Sequence, residues 1–193
     1  MSRTAQPWPP VPAEPVIAHP QAPAPGEKLP MHYAECFGCG DELDGGLHMR
    51  STVGEGQTVR AQFTVTDAHQ GAPGLAHGGL LACAFDEALG SIVGNLLRRP
   101  AVTGRLETDF RRPVPVGSTL FIIARLDGMA GRKIYVSADG HLDAEDGPIA
   151  VQARSLFVLV DFDHFTTHGH PQSMEKIMEA RRRKPDRDWD INP

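Results

Sequence analysis

Residues 77–100 read HGGLLACAFDEALGSIVGNLLRRP, the longest apolar segment of the chain, and the rhythm of this stretch decides the fold. Leu81, Phe85, Ala88, Ile92 and Leu96 recur every three or four residues, which puts their side chains on one face of an α-helix. Arg98-Arg99-Pro100 supplies cations and a break where such a helix should end. The spacing predicts one long buried helix from His77 to Leu97. At roughly 1.5 Å per residue it would be about 30 Å long, enough to cross a bilayer. Asp86 and Glu87 sit at its middle, where a bilayer penalises charge heavily, so no membrane association is expected.

On both sides of this segment the apolar period changes to two. Val59, Ala61, Phe63 and Val65 alternate with Thr58, Arg60, Gln62 and Thr64, the pattern of a strand with one buried face. Downstream, Val102, Gly104, Leu106, Thr108 and Phe110 form one face, Leu120, Ile122, Ala124 and Leu126 a second, and Ile149, Val151, Ala153, Ser155, Phe157 and Leu159 a third. Turn signals at Pro113 to Gly117, Asp127 to Gly131 and Glu145 to Pro148 separate these runs, and connections this short imply antiparallel pairing. A long helix followed by a meander of three or four strands predicts an α+β domain whose curved antiparallel sheet wraps around one central helix.

A chain of 193 residues suits one domain. The stretch from Pro7 to Pro30 is dense in proline and has no apolar rhythm, so residues 1–30 are expected to form an extended, disordered tail. The domain is expected over residues 31–165. Residues 166–193 form an extension in which Ser173 caps a short amphipathic helix carrying Met174, Ile177 and Met178. The N-terminal stretch has no continuous apolar h-region, so a cytoplasmic location is expected. Three cysteines, an odd number, fit a reducing compartment without disulfides. Net charge is −5 and the only dense basic run is Arg181 to Lys184, which argues against nucleic-acid binding.

His77-Gly78-Gly79 opens the predicted helix, where backbone N–H groups lack intrahelical partners and the helix dipole adds positive charge. Such a turn suits a developing oxyanion, and glycine lets a carbonyl come close. A tight loop-to-helix turn would use the same glycines for shape alone. Asp86 and Glu87 are the only acids of the helix. Residues on the helix face of Asp86, namely Gly79, Ala82, Cys83, Leu89 and Gly90, cannot neutralise it. It must face a cleft or meet a partner outside the helix. Glu87 lies about 100° further round, so the two acids should not serve one site alike. Cys36-x-x-Cys39 with His32 and His48 invites a zinc reading, but the spacing matches no common finger and a second cysteine pair is missing. No metal is expected.

Cys36-Phe37-Gly38-Cys39-Gly40, the loop Gln70-Gly71-Ala72-Pro73-Gly74, His77-Gly78-Gly79 with an aspartate nine residues after the histidine, Val102-Thr103 and Phe110-Arg111-Arg112-Pro113 follow in this order. Together they resemble the phenylacetyl-CoA-type (PaaI-type) hotdog thioesterases, from about Cys36 to Asp161. The resemblance implies a hotdog fold and hydrolysis of an acyl- or aryl-CoA to free acid and coenzyme A. It assigns Asp86 as nucleophile or general base, the amide of Gly78 or Gly79 as the group that polarises the carbonyl, His77 as the residue that fixes the turn, and Thr103 as a holder of the attacking water. Gly71 departs from those members that carry asparagine six residues before the histidine. Coenzyme A enters only as part of the substrate, and no resident cofactor is implied. Two runner-up readings keep the fold: a non-catalytic acyl- or CoA-binding protein, and an enoyl-CoA hydratase, which usually carries an Asp/His pair. The resemblance also implies a homodimer with shared active sites, and dimers that stack into tetramers. Distance agrees with sharing, since Gly79 and Asp86 are about 10 Å apart along one helix.

Overall fold

The computed structural model describes residues 7–182. The alternating runs form strands β2 (Thr58–Thr64), β5 (Ala101–Phe110), β6 (Thr119–Ala130) and β8 (Ile149–Leu159). Two further strands, β1 (Arg50–Val53) and β7 (Lys133–Leu142), complete a six-stranded sheet in the order β1-β2-β6-β7-β8-β5. Every neighbouring pair is antiparallel. Within the loop before the helix, β3 (Gln70–Ala72) and β4 (Leu75–Ala76) make a small separate hairpin.

Helix α1 (Gly78–Ser91) lies against β2, β5, β6, β7 and β8. Its Phe85, Ala88 and Leu89 are fully buried and join one core with Ile122, Val136 and Val151 of the sheet. The closest approach of helix and sheet depends on Gly140 of β7. A Cβ there would lie 2.6 Å from Phe85 Cζ, so a side chain at 140 would push the helix off the sheet. The expected helix is interrupted in kind though not in direction: Ile92–Leu96 widens into a π-helix, with Asn95 Nδ2 donating to Ser91 O at 3.1 Å. By length and composition, Gly78–Leu96 could cross a membrane, but 61% of that window is buried inside this structure.

Two expectations are corrected. The uniform inner face Val102-Gly104-Leu106-Thr108-Phe110 is broken by a β-bulge, where pairing shifts from Thr103↔Phe157 to Arg105↔Leu156. Before the bulge Thr103 therefore shares the face of buried Phe157, and after it Leu106 and Thr108 share the face of Ser155 and Ala153. Bulges re-aim side chains in this way.

The second correction concerns the proline-rich segment, which packs on the body from Pro7 onward. Glu14 and Met129 exchange both backbone hydrogen bonds, at 2.8 and 2.9 Å. His19 N donates to Leu96 O and Leu29 N to Ser51 O. Trp8 stacks edge-on against Tyr135 with ring centroids 5.4 Å apart, and its Nε1 donates to Asp127 Oδ2 at 2.9 Å. Val16, Ala18 and Leu29 add apolar cover to the core. Deleting residues 1–30 should therefore cost about 3 kcal/mol, which for a chain of this size lowers the melting temperature by roughly 6–12 °C. A thermal melt of the truncated chain beside the full one measures it, and equal midpoints would show the segment idle.

After β8 come α2 (Asp163–His168) and α3 (Pro171–Arg182). The predicted C-terminal helix begins at Pro171, ahead of the Ser173 cap, and the basic run Arg181 to Lys184 extends outside the described residues.

Candidate active site

Asp86 is half-buried on α1, and Thr103 Oγ1 donates to its Oδ1 at 2.8 Å. The bulge in β5 brings these two side chains together. Burial raises the Asp86 carboxyl above the usual aspartate range, while the Thr103 hydroxyl and the nearby His32 pull it back. The carboxylate opens into a cavity of about 530 Å³ lined by Asp86, Gly90 and Val93 along the helix, Phe157 of β8, and Phe165 and Met174 of the C-terminal helices. Tyr33, Glu35, Glu87 and Arg99 line it too, so the cavity joins an apolar wall to a charged one and suits a small molecule with both kinds of group.

His77 is the N-cap of α1 with extended backbone (φ −69°, ψ 129°), and its Nδ1 accepts from Gly79 N at 2.9 Å. Its own N–H donates to His69 O at 2.8 Å. The histidine thus fixes the turn by capping. The two glycine amides, interchangeable in the sequence reading, now differ. Gly79 donates to His77, whereas Gly78 is the first residue of the helix, whose N–H points away from any intrahelical acceptor. Gly71 lies under this turn: a Cβ there would sit 2.7 Å from His77 Cα. Asparagine at 71 cannot enter without moving the turn, which accounts for the departure from the related pattern. His77, Gly78 and Gly79 do not line the Asp86 cavity, so the chain presents these amides and this carboxylate at separate places along α1.

Both acids of the helix line this cavity, but their carboxylates have different partners. Glu87 turns away from Thr103 toward the loop before β1, with Oε1 3.4 Å from His32 Nδ1 and Oε2 3.6 Å from Cys36 Sγ. Spacing within the Cys36-x-x-Cys39 segment does not reveal this neighbour, which is 51 residues further along the chain. His48 instead places its Nδ1 against Gly40 O at 2.8 Å.

Residues 73–147 match the thioesterase superfamily domain. The chain is 36% identical over 98 residues to the bovine acyl-coenzyme A thioesterase THEM4, an alignment covering 51% of this chain and 39% of that protein. It thus spans about two fifths of the length of the curated relatives it matches. Among solved structures it is similar to a thioesterase superfamily protein at 31% identity and a TM-score of 0.51, covering 57% of this chain and 55% of the other. It also shares the fold of PaaI from the phenylacetic acid degradation operon of E. coli, at 19% identity and a TM-score of 0.53, covering 60% and 81%. Residues 73–147 are thus similar to the thioesterase superfamily domain, and the six-stranded sheet wrapped around the central helix is the hotdog fold of these structures.

Proposed function

We propose that the chain hydrolyses an acyl- or aryl-CoA thioester to the free acid and coenzyme A in the cytoplasm, as a homodimer. The observation that carries the reading is Asp86, held by Thr103 on the wall of a cavity that Val93, Phe157 and Phe165 also line, within the stretch that matches the thioesterase superfamily domain. Thr103 engages Oδ1 and leaves Oδ2 to act on the substrate. Either Oδ2 takes a proton from water as that water attacks the carbonyl, or it attacks directly and water then opens the mixed anhydride. Both routes expel the thiolate of coenzyme A, and both develop an oxyanion that needs an N–H donor. Gly78 is that donor, and it comes from the second subunit. Strand β5 supports such pairing. It is a ten-residue strand at the edge of the sheet, mostly exposed, and a long open edge invites a second copy.

The test is a panel of acyl- and aryl-CoA esters incubated with the purified full chain while free thiol is followed. Turnover with at least one ester supports the reading. A chain that binds these esters but releases no more thiol than its Asp86→Asn variant is a binding protein, and the proposal fails. The Thr103 hydrogen bond gives a graded check. A bond to a charged group is worth roughly 1.5–3 kcal/mol, so Thr103→Val should cut kcat by roughly 10- to 100-fold. Thr103→Ser, which keeps the donor, should recover most of it. Equal kcat in Thr103→Val and wild type would remove Thr103 from the site.

A further inference from the structure

We propose that His32, Cys36, Cys39 and Glu87 bind one Zn²⁺ ion in a closed tetrahedral site that clamps the loop of residues 32–40 onto the central helix. The four donor atoms all lie within 4.8 Å of one another. A tetrahedral zinc with bonds of roughly 2.0–2.3 Å holds its ligand atoms roughly 3.3–3.8 Å apart. The 3.4 Å between His32 Nδ1 and Glu87 Oε1 already falls in that range, and the other oxygen of the same carboxylate lies 3.6 Å from Cys36 Sγ. Two thiolates, an imidazole and a carboxylate form a donor set suited to zinc.

The surroundings fit a metal better than a set of free acids. His32 N donates to Cys39 Sγ at 3.2 Å, so the first ligand's own backbone seats the sulfur of another. Amides aimed at sulfur stabilise thiolates. Zinc holds both sulfurs as thiolates, and any thiol protons leave to solvent as it binds. The loop is shaped around this point. A Cβ at Gly38 would lie 2.3 Å from Glu87 Oε2, and one at Gly40 would lie 2.2 Å from Ala34 O.

With four protein ligands the ion has no open position, so its role is structural. It fixes one wall of the catalytic cavity, because His32, Tyr33 and Glu35 line that cavity together with Asp86. The site stands apart from the proposed hydrolysis, since thiol release and zinc content are measured separately and either can fail alone.

The experiment uses the full chain, expressed in zinc-supplemented medium and purified with thiol reductant. Metal content is read by plasma emission, and the chelator-stripped chain is titrated with Co²⁺. The expected result is close to one zinc per chain, together with thiolate-to-cobalt charge transfer and the visible bands of tetrahedral Co²⁺. Cys36→Ser and Cys39→Ser should each keep less than about a tenth of the wild-type zinc, whereas Cys83→Ser, at an exposed thiol outside the set, should keep it all. The proposal is overturned if the wild-type chain carries under about a tenth of an equivalent and gives no charge-transfer band with Co²⁺. It is equally overturned if Cys36→Ser and Cys39→Ser hold as much zinc as Cys83→Ser.

Discussion

Asp86→Asn should lower kcat by at least about a thousandfold with the best CoA ester while leaving the melting temperature within a few degrees of wild type. The amide is nearly isosteric, and its oxygen can still accept from Thr103 Oγ1 as the carboxylate oxygen does at 2.8 Å. What it loses is basicity and nucleophilicity, and both proposed routes need one of these. Glu87 is a poor substitute for the missing charge, because its carboxylate is turned toward His32 and Cys36. Steady-state kinetics with thiol detection, paired with a thermal melt, measure both halves of the result. Retention of more than about a tenth of wild-type kcat in a fully folded variant would falsify the assignment of Asp86.

What the sequence discloses about this chain divides along the range of the interactions involved. The central helix and strands β2, β5, β6 and β8 are legible because each carries its own period of burial, with Phe85 and Leu89 on one helix face and Val59, Ala61 and Phe63 on one strand face. Strand β7 is harder to read. Its alternation of Ile134, Val136 and Ala138 is followed by Asp139, Gly140 and His141, and the glycine is there because Phe85 occupies the space of a side chain. The proline-rich segment misleads because its order comes from backbone donors at Glu14, His19 and Leu29 meeting carbonyls far along the chain. Proline content reports on local conformation, not on such partners. Position along the helix singles out Asp86 and Glu87 together. Only the bulge that turns Thr103 inward, and the loop that brings Cys36 to Glu87, divide their roles.

Mixing two inactive variants should restore activity, and this is the sharper of the two tests because it addresses the assembly as well as the residues. Gly78→Pro removes the one N–H proposed to meet the oxyanion. Proline is well tolerated at the first position of a helix, and the preceding residue must then be extended. His77 already is, with φ −69° and ψ 129°. The variant should fold normally, keep the Gly79 to His77 cap, and lose roughly 100- to 1,000-fold in kcat, the usual cost of one oxyanion donor. If one subunit supplied both groups, each variant subunit would be defective on its own and mixing could do nothing. If Gly78 of one subunit meets Asp86 of the other, a hybrid of Gly78→Pro with Asp86→Asn holds one intact site and one doubly defective site. Random exchange makes half of the dimers hybrids, so activity should return to about a quarter of wild type. Differently tagged subunits, exchanged and captured through both tags, establish that hybrids formed. Verified hybrids that remain as inactive as either parent, with both parents folded, would sink the site shared between subunits.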